Sequence, residues 1–484
     1  MNAVNSAEHH RASTFYVDSK GGCDENDGRS EAAPFKTLER VSRESYGPGD
    51  RIRFRRGRTY CGSLTLNACG HVAAPVRVEA YGSGTAPKIA GQGGAAVTIR
   101  AVYLTLEGLE ITNPGGLFGI HILPLKSGEN SGITVSGCYI HDVNEEETPG
   151  WGGYIGSGGI IARADGEEPV WFRELVLQDN IIRNTSRMGI TISNSWGWRY
   201  GGAGYIRNQY VDDDNGWYPN LNCRIIGNTV DGTKGDSILV QCGQDILIER
   251  NTVYRANASL KDHAKIAMVA IWTISTLNTV MQYNEVGYTR RPGADGEAFD
   301  TDHAEDGCII QYNYSHHNEG GFVLLCNGMP GTARNATIRY NLSVGDGGSE
   351  DGACVQFIGD VPGTQIYNNT FWLSEASRIL DVWRNRAKDV RITDNIFAAP
   401  PGRKLAYTAR PDPKPGGSVT EPDFHTAAEE FVIHNNIFHH VPLPAAGGGV
   451  TVTDCREEDP AFAVREFTDA DYRDRTAMVA AFTP

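Results

Sequence analysis

Apolar and polar residues alternate along this chain in short bursts, and an asparagine follows most bursts before a second apolar pair. The bursts read VSGCYI (135–140), LQDNII (177–182), IIGNTV (225–230), IERNTV (248–253), MQYNEV (281–286), IQYNYS (310–315), IRYNLS (338–343), IYNNTF (366–371), ITDNIF (392–397) and IHNNIF (433–438). The recurring position is Cys138, then Asn180, Asn228, Asn251, Asn284, Asn313, Asn341, Asn369, Asn395 and Asn436. From Asn228 to Asn395 the steps are 23, 33, 29, 28, 28 and 26 residues. Period-two alternation within a burst predicts a strand, and self-similarity at roughly 20–50 residues predicts a solenoid.

Each step holds one coil of three short strands with their turns, the longer steps carrying insertions. The expected fold is all-β: a single-stranded right-handed parallel β-helix with capping segments at both ends. A leucine-rich solenoid is excluded because its fixed leucine spacing is absent. The asparagine has two expected tasks. A tight corner needs a residue that tolerates a left-handed backbone, and amides stacked through successive coils can hydrogen-bond into a ladder.

The expected organisation is a tail at 1–13, an N-terminal cap with first strands at 14–75, the β-helix at 76–440, and a C-terminal cap or tail at 441–484. Loop insertions are expected at 144–160, 194–222 and 400–428. The second of these, with the stretch around Trp151, concentrates aromatic residues on Gly-rich loops, among them Trp198 and Trp217, where a cleft wall is expected.

A second strand follows each asparagine burst: MGITIS (188–193), DSILVQ (236–241), MVAIWT (268–273), EAFDTD (297–302), GFVLLC (321–326), ACVQFI (353–358) and RILDVW (378–383). Taking Ile190, Ile238, Val269, Phe299, Phe322, Ala353 and Leu380 as inward gives two outward columns. One runs Thr191, Leu239, Ala270, Asp300, Val323, Cys354, Asp381; the other runs Ser193, Gln241, Trp272, Asp302, Leu325, Gln356, Trp383. Neighbours in a column should lie about 4.8 Å apart. Indole rings with acids and amides are the surface a sugar needs, so Trp272, Gln241, His303, Trp383, Asp381, Gln356, Trp198 and Trp217 are candidate substrate-binding residues.

The segment DGEAFDTDHAEDG (295–307) is the densest in acids. Asp300 and Asp302 share a strand face with backbones about 6.6 Å apart. Glu297 precedes them, and Glu319 enters the next coil. Glycoside hydrolysis needs one protonated and one ionised carboxyl, and crowding raises the pKa of one member. The candidate catalytic residues are Asp302 and Asp300, then Glu319, then Glu297. A calcium site and a solvated acidic turn are the alternatives.

The net charge of −15 argues against nucleic acid, which requires a basic face. It weighs mildly against a polyuronate. No apolar run reaches the roughly 20 residues that cross a bilayer, so no membrane partner is expected; the first 13 residues lack the core of a signal peptide. Cysteines show no CxxC or zinc spacing; Cys23, Cys61 and Cys69 are the candidates for disulfides. No metal or cofactor is expected, although Asp212-Asp213-Asp214-Asn215-Gly216 has the oxygen-rich character of a calcium loop without its full pattern.

The coils, together with FYVDSKGGCDENDGRSEAAPFKTLERV (15–41), PGDRIRFRRGRTY (48–60) and LTLEGLEITN (104–113), resemble the right-handed parallel β-helix proteins of the pectate-lyase-like superfamily over roughly residues 14 to 440. The resemblance implies a carbohydrate substrate and an extracellular or periplasmic location. Asp300, Asp302 and Glu319 match the acid-bearing coil of β-helix glycosidases in general pattern, which implies a glycoside hydrolase. The runner-up is a polysaccharide lyase or uronate epimerase, with Lys261, Lys265, Arg290 and Arg291 near the acidic coil. FDTDH resembles an epimerase Asp-Pro-His signature but lacks the proline. A non-catalytic glycan-binding helix is the third reading.

Overall fold

The computed structural model describes residues 10–144, 156–196, 217–258, 267–327, 333–383, 386–411, 423–463 and 468–483. The chain forms two compact units: Met1–Thr148 with Gly152–Asn194 and Asn220–Thr229, and Val230–Pro484 with Pro149–Trp151 and Ser195–Pro219.

In the first unit one parallel sheet runs from Thr14–Val17 through Arg51–Arg55, Val76–Tyr81, Leu104–Glu107, Ile133–Ser136 and Val176–Gln178 to Arg224–Ile226. A second runs from Thr59–Cys61 to Ile181–Thr185 and a third from Ser45–Tyr46 to Met188–Asn194, again all parallel. The segment read as a cap thus contributes strands to all three sheets. It also holds a short helix, Leu38–Ser42, capped by the Thr37 side chain and burying Leu38 and Val41.

The second unit repeats the plan. Its first sheet runs from Leu247–Glu249 to Val450–Thr453, its second from Thr252–Tyr254 to Arg456–Glu457, and its third from Ile238–Gln244 to Ala406–Arg410. Each coil gives one strand to each sheet, so the chain is a parallel β-helix, and parallel connections of this kind are right-handed. Phe322, Phe371, Phe397 and Phe438 stack along its interior with ring centroids 5.7, 4.9 and 5.3 Å apart. The segment 441–484 continues two sheets to Glu457 and then packs sideways. Met478 and Phe482 of the helical end cluster with Tyr314, Leu342 and Val344.

The ladder forms, and it separates the two tasks assigned to asparagine. In the second unit each Oδ1 of Asn284, Asn313, Asn341, Asn369, Asn395 and Asn436 accepts from both the backbone N–H and the Nδ2 of the asparagine one coil earlier, at 2.8–3.1 Å. In the first unit Asn228 does the same for Asn180, and Asn180 accepts from the Cys138 N–H. The left-handed corner, however, is the preceding residue: Asp179, Tyr283, Tyr312, Tyr340, Asn368, Asp394 and Asn435 have φ between 52° and 58°. The amide is needed where it is buried and must be satisfied, so the strained backbone falls one position earlier.

Among the described residues no helix is long and apolar enough to cross a membrane. None of the ten cysteines is in a disulfide; Cys23, Cys61 and Cys69 stand exposed and separate.

Candidate active site

The third sheet of the second unit carries the acids. Its register aligns Leu239, Trp272, Asp300, Leu324, Gln356, Asp381 and Thr408 in one row. Cys326, Ile358, Trp383 and Arg410 form a second row two residues on. Leu324, Cys326, Ile358 and Trp383 make an apolar cluster of their own.

The columns read from sequence are therefore shifted. Trp272 lies beside Asp300 and not beside Asp302, Gln356 belongs to the row of Asp300, and Val323 and Leu325 align with Phe299 and Thr301. Ala270 and Cys354 are likewise buried and absent from both rows. The breaks in the strand runs fall at corners that alternation alone does not show. The run MVAIWT is broken, because Ala267–Met268 pairs with Ala294–Asp295 in a ladder of its own and the sheet strand starts at Ile271. Two coils later Gly321 opens its strand with φ +149°, where a Cβ would lie 1.8 Å from the Ala353 carbonyl oxygen.

Asp300 is 3% exposed, and its Oδ1 has no hydrogen-bond partner. Burial, reinforced by the charges of Asp302, Asp295, Glu297 and Glu305, holds its carboxyl well above the usual carboxylate range. Asp302 sits just past the strand with its side chain 14% exposed. Its Oδ1 accepts from the His303 backbone N–H at 2.8 Å and faces the His303 Nε2 at 3.1 Å. His303 is buried, with its ring lying against Asp302.

Asp295 was not among the residues singled out, yet it belongs here. Burial and the charges of Glu297 and Asp302 raise its carboxyl well above the usual range, against the opposing pull of Arg291. It is only partly buried, and it occupies a left-handed corner with φ 59°. The signal that could have found it is its place in the same acidic run, before a glycine; strand periodicity alone passes over a corner residue.

The remaining candidates divide. Glu297 is fully buried, both its carboxylate oxygens lack a hydrogen-bond partner, and burial raises its pKa while Arg291 opposes. Gln356 is buried with neither amide atom hydrogen-bonded. Asp381 is committed: it accepts from Thr408 Oγ1 at 2.7 Å and from Arg410 Nε at 2.7 Å. Arg410 also lies 4.9 Å from the Trp383 ring, covering that face. Trp272 is buried, with its indole N–H donated to Asp236 Oδ1 at 3.0 Å, so it is a wall and not an open platform. Gln241 is buried in register with Ile274, and Trp217 is partly buried.

Glu319 stands apart. Its side chain is 41% exposed, its Oε2 accepts from the Arg291 N–H at 2.6 Å, and it lines a cavity of about 460 Å³ with Arg255, Tyr288, Arg290, His317 and Arg473. It is not among the main charges acting on Asp295 or Asp300. His316, on the same coil, is caged by Tyr254, Tyr288, Tyr314 and Tyr472, and burial lowers its pKa to about 3. Trp151, Trp198, Lys261, Lys265 and the acidic run 212–216 lie outside the described residues.

The arrangement combines carboxyls raised above the usual range with Asp302, whose Oδ1 accepts a backbone N–H, and with buried polar atoms whose hydrogen-bonding capacity is unused. That is the equipment for proton transfer to and from a polar ligand.

The sequence from 210 to 371 matches the family model described as right handed beta helix region. A curated lacto-N-biosidase of Bifidobacterium longum subsp. longum is 26% identical over 84% of this chain, which spans 30% of that protein. The crystal structure of a GH136 lacto-N-biosidase from Eubacterium ramulus aligns over 89% of this chain and 68% of its own, with a TM-score of 0.62 and 25% identity. The XylC complex with xylose aligns with a TM-score of 0.51 at 12% identity, a likeness of fold alone, over 94% of this chain and 88% of its own. Sheet order, asparagine ladder and these likenesses together make the chain a right-handed parallel β-helix protein.

Proposed function

We propose that the protein is a glycoside hydrolase acting on a polysaccharide or a derived oligosaccharide. The observation that carries the reading is the crowd of carboxyls around Asp302: burial and neighbouring charges raise Asp295 and Asp300 well above the usual carboxylate range, while the Asp302 Oδ1 accepts the His303 N–H. Asp302 acts as the nucleophile or as the base that activates water. The proton for the leaving oxygen comes from Asp295 or Asp300, and the greater accessibility of Asp295 favours it over the nearly closed Asp300. Glu297 and Gln356 offer further buried polar atoms without hydrogen-bond partners, and His303 aims Asp302. The likeness to lacto-N-biosidases supports an oligosaccharide substrate of that kind, and a carbohydrate substrate accords with an extracellular or periplasmic location.

The test is turnover of a glycan panel that includes lacto-N-biosides and uronate polymers, following both new reducing ends and absorbance of unsaturated uronates. Reducing ends without that absorbance are the expected result. Absorbance would overturn hydrolysis in favour of a lyase; binding without turnover would make the helix a glycan-binding module.

A further inference from the structure

Asp302, His303 and Cys326 converge on one point of the active face. The two neighbours come from the end of the strand Glu297–Thr301, and Cys326 ends the strand Gly321–Cys326 one coil later. A carboxylate oxygen, a ring nitrogen and the sulfur all lie within 4.8 Å of one another. Asp302 Oδ1 and His303 Nε2 are 3.1 Å apart. Tetrahedral zinc, with arms of about 2.0–2.3 Å, needs its ligand atoms about 3.3–3.7 Å apart. That pair stands slightly closer than this spacing, and the sulfur lies within 4.8 Å of a carboxylate oxygen and a ring nitrogen, so small side-chain rotations would complete the set.

The chemistry of the set is selective. A thiolate with an imidazole and one carboxylate suits zinc, whereas calcium and magnesium take oxygen. His303 and Cys326 are buried and Asp302 is partly open, so a metal would be held from below and reached from the cleft.

We infer that this trio binds zinc or a similar thiophilic divalent cation, and that the bound metal shuts off hydrolysis reversibly. Three protein ligands leave a fourth position for water, but the metal takes the lone pairs of Asp302 that would attack the sugar or activate water. It also takes the His303 nitrogen that orients Asp302. The ion is thus an inhibitor and not a cofactor. The inhibitory consequence rests on the proposed glycosidase activity; the binding itself does not.

The experiment is a titration of the full-length protein with cobalt as a spectroscopic stand-in, alongside Cys326→Ser and Cys326→Ala, with melting curves as the check on folding. The expected result is a thiolate-to-cobalt absorption band at one equivalent in the parent protein that both variants lack. Zinc should then inhibit glycan turnover, with chelator restoring it, and either variant should raise the inhibitory zinc concentration at least tenfold while turning over metal-free. A band that survives in folded variants, or no band at all, overturns the site. A band lost on substitution, in a protein without turnover on any glycan, keeps the metal site and sinks only the hydrolase reading. Zinc inhibition unchanged in the variants overturns the regulatory role.

Discussion

The indole N–H of Trp272 donates to the Asp236 carboxylate over 3.0 Å, and the same oxygen also receives the Val269 N–H at 2.8 Å. The ring stands next to Asp300 in register, so this bond fixes the indole beside that acid. Replacing Trp272 with Phe keeps the ring bulk and removes the bond. We expect a loss of about 1–3 kcal/mol in urea unfolding, with a fall in kcat larger than any rise in KM, because the wall sets the geometry of the acid. A change in KM alone would return Trp272 to the role of a sugar platform.

Substitution separates the acids. Asp302→Asn should lower kcat by about a thousandfold or more, and small carboxylates such as formate should partly restore the Asp302→Gly variant if Asp302 is a nucleophile or base. Asp295→Asn should cost more than Asp300→Asn on substrates with poor leaving groups, and little on substrates with activated ones, as a proton donor requires. The reverse order would move the donor to Asp300.

The pH dependence follows in sign from the same crowding. Carboxyls raised above the ordinary range keep their proton further up the pH scale, so a donor among Asp295 and Asp300 is active below its raised pKa and lost as pH climbs through it. The rate kcat/KM should therefore decline on an alkaline limb, and Glu297→Gln, by removing one repelling charge, should move that limb to lower pH. A limb that does not move would exclude Glu297 from the coupled set.

Asp346 offers a structural counterpart. It accepts from Ser343 Oγ, from the N–H and Nδ2 of Asn318, and from Ser315 Oγ, yet burial still pushes its pKa up from 3.8 to about 6. The folded state therefore binds this proton more tightly than the unfolded state. The linked stability is present below about pH 4 and is lost as pH rises to 6, a change of about 3 kcal/mol. Asp346→Asn abolishes the titration, so its stability relative to the parent should rise between pH 4 and pH 7. A pH-independent difference would sink this assignment.

The division of labour at each corner can be tested in one pair of variants. Asn313→Ala strands the N–H and amide of Asn284 and should cost about 3 kcal/mol. Asn368→Gly, at a left-handed corner, should change stability by less than about 0.5 kcal/mol. Circular-dichroism unfolding in urea reads both.

The β-helix was legible because its repeat is written into every coil: one buried amide per turn cannot be omitted without stranding its neighbour. The acidic coil was legible for a similar reason, since Asp300 and Asp302 sit two apart at a strand end. What could not be read was register. Where a strand begins within an apolar run is not written in the run: the sheet strand of MVAIWT starts at Ile271, and that places Trp272 beside Asp300 and not Asp302. Asp295 was missed because it lies in a corner, where period-two reasoning has no purchase. Arg410, which neutralises Asp381 and shields Trp383, comes from the insertion 400–428 and faces those residues only once that strand joins the sheet.

The helix Arg475–Ala481 reaches back across the chain: Arg475 donates to the carbonyls of Tyr283 and Tyr312, 192 and 163 residues earlier, and Tyr314 donates to the Tyr472 carbonyl 158 residues away. Coils of a solenoid can settle onto their predecessors as synthesis proceeds. This latch cannot, because its two halves leave the ribosome far apart in time. The flank of the coils from Tyr283 to Val344 must therefore wait bare until the latch arrives, and a translation stall or a frameshift beyond residue 460 would release a chain with finished coils and an open greasy side.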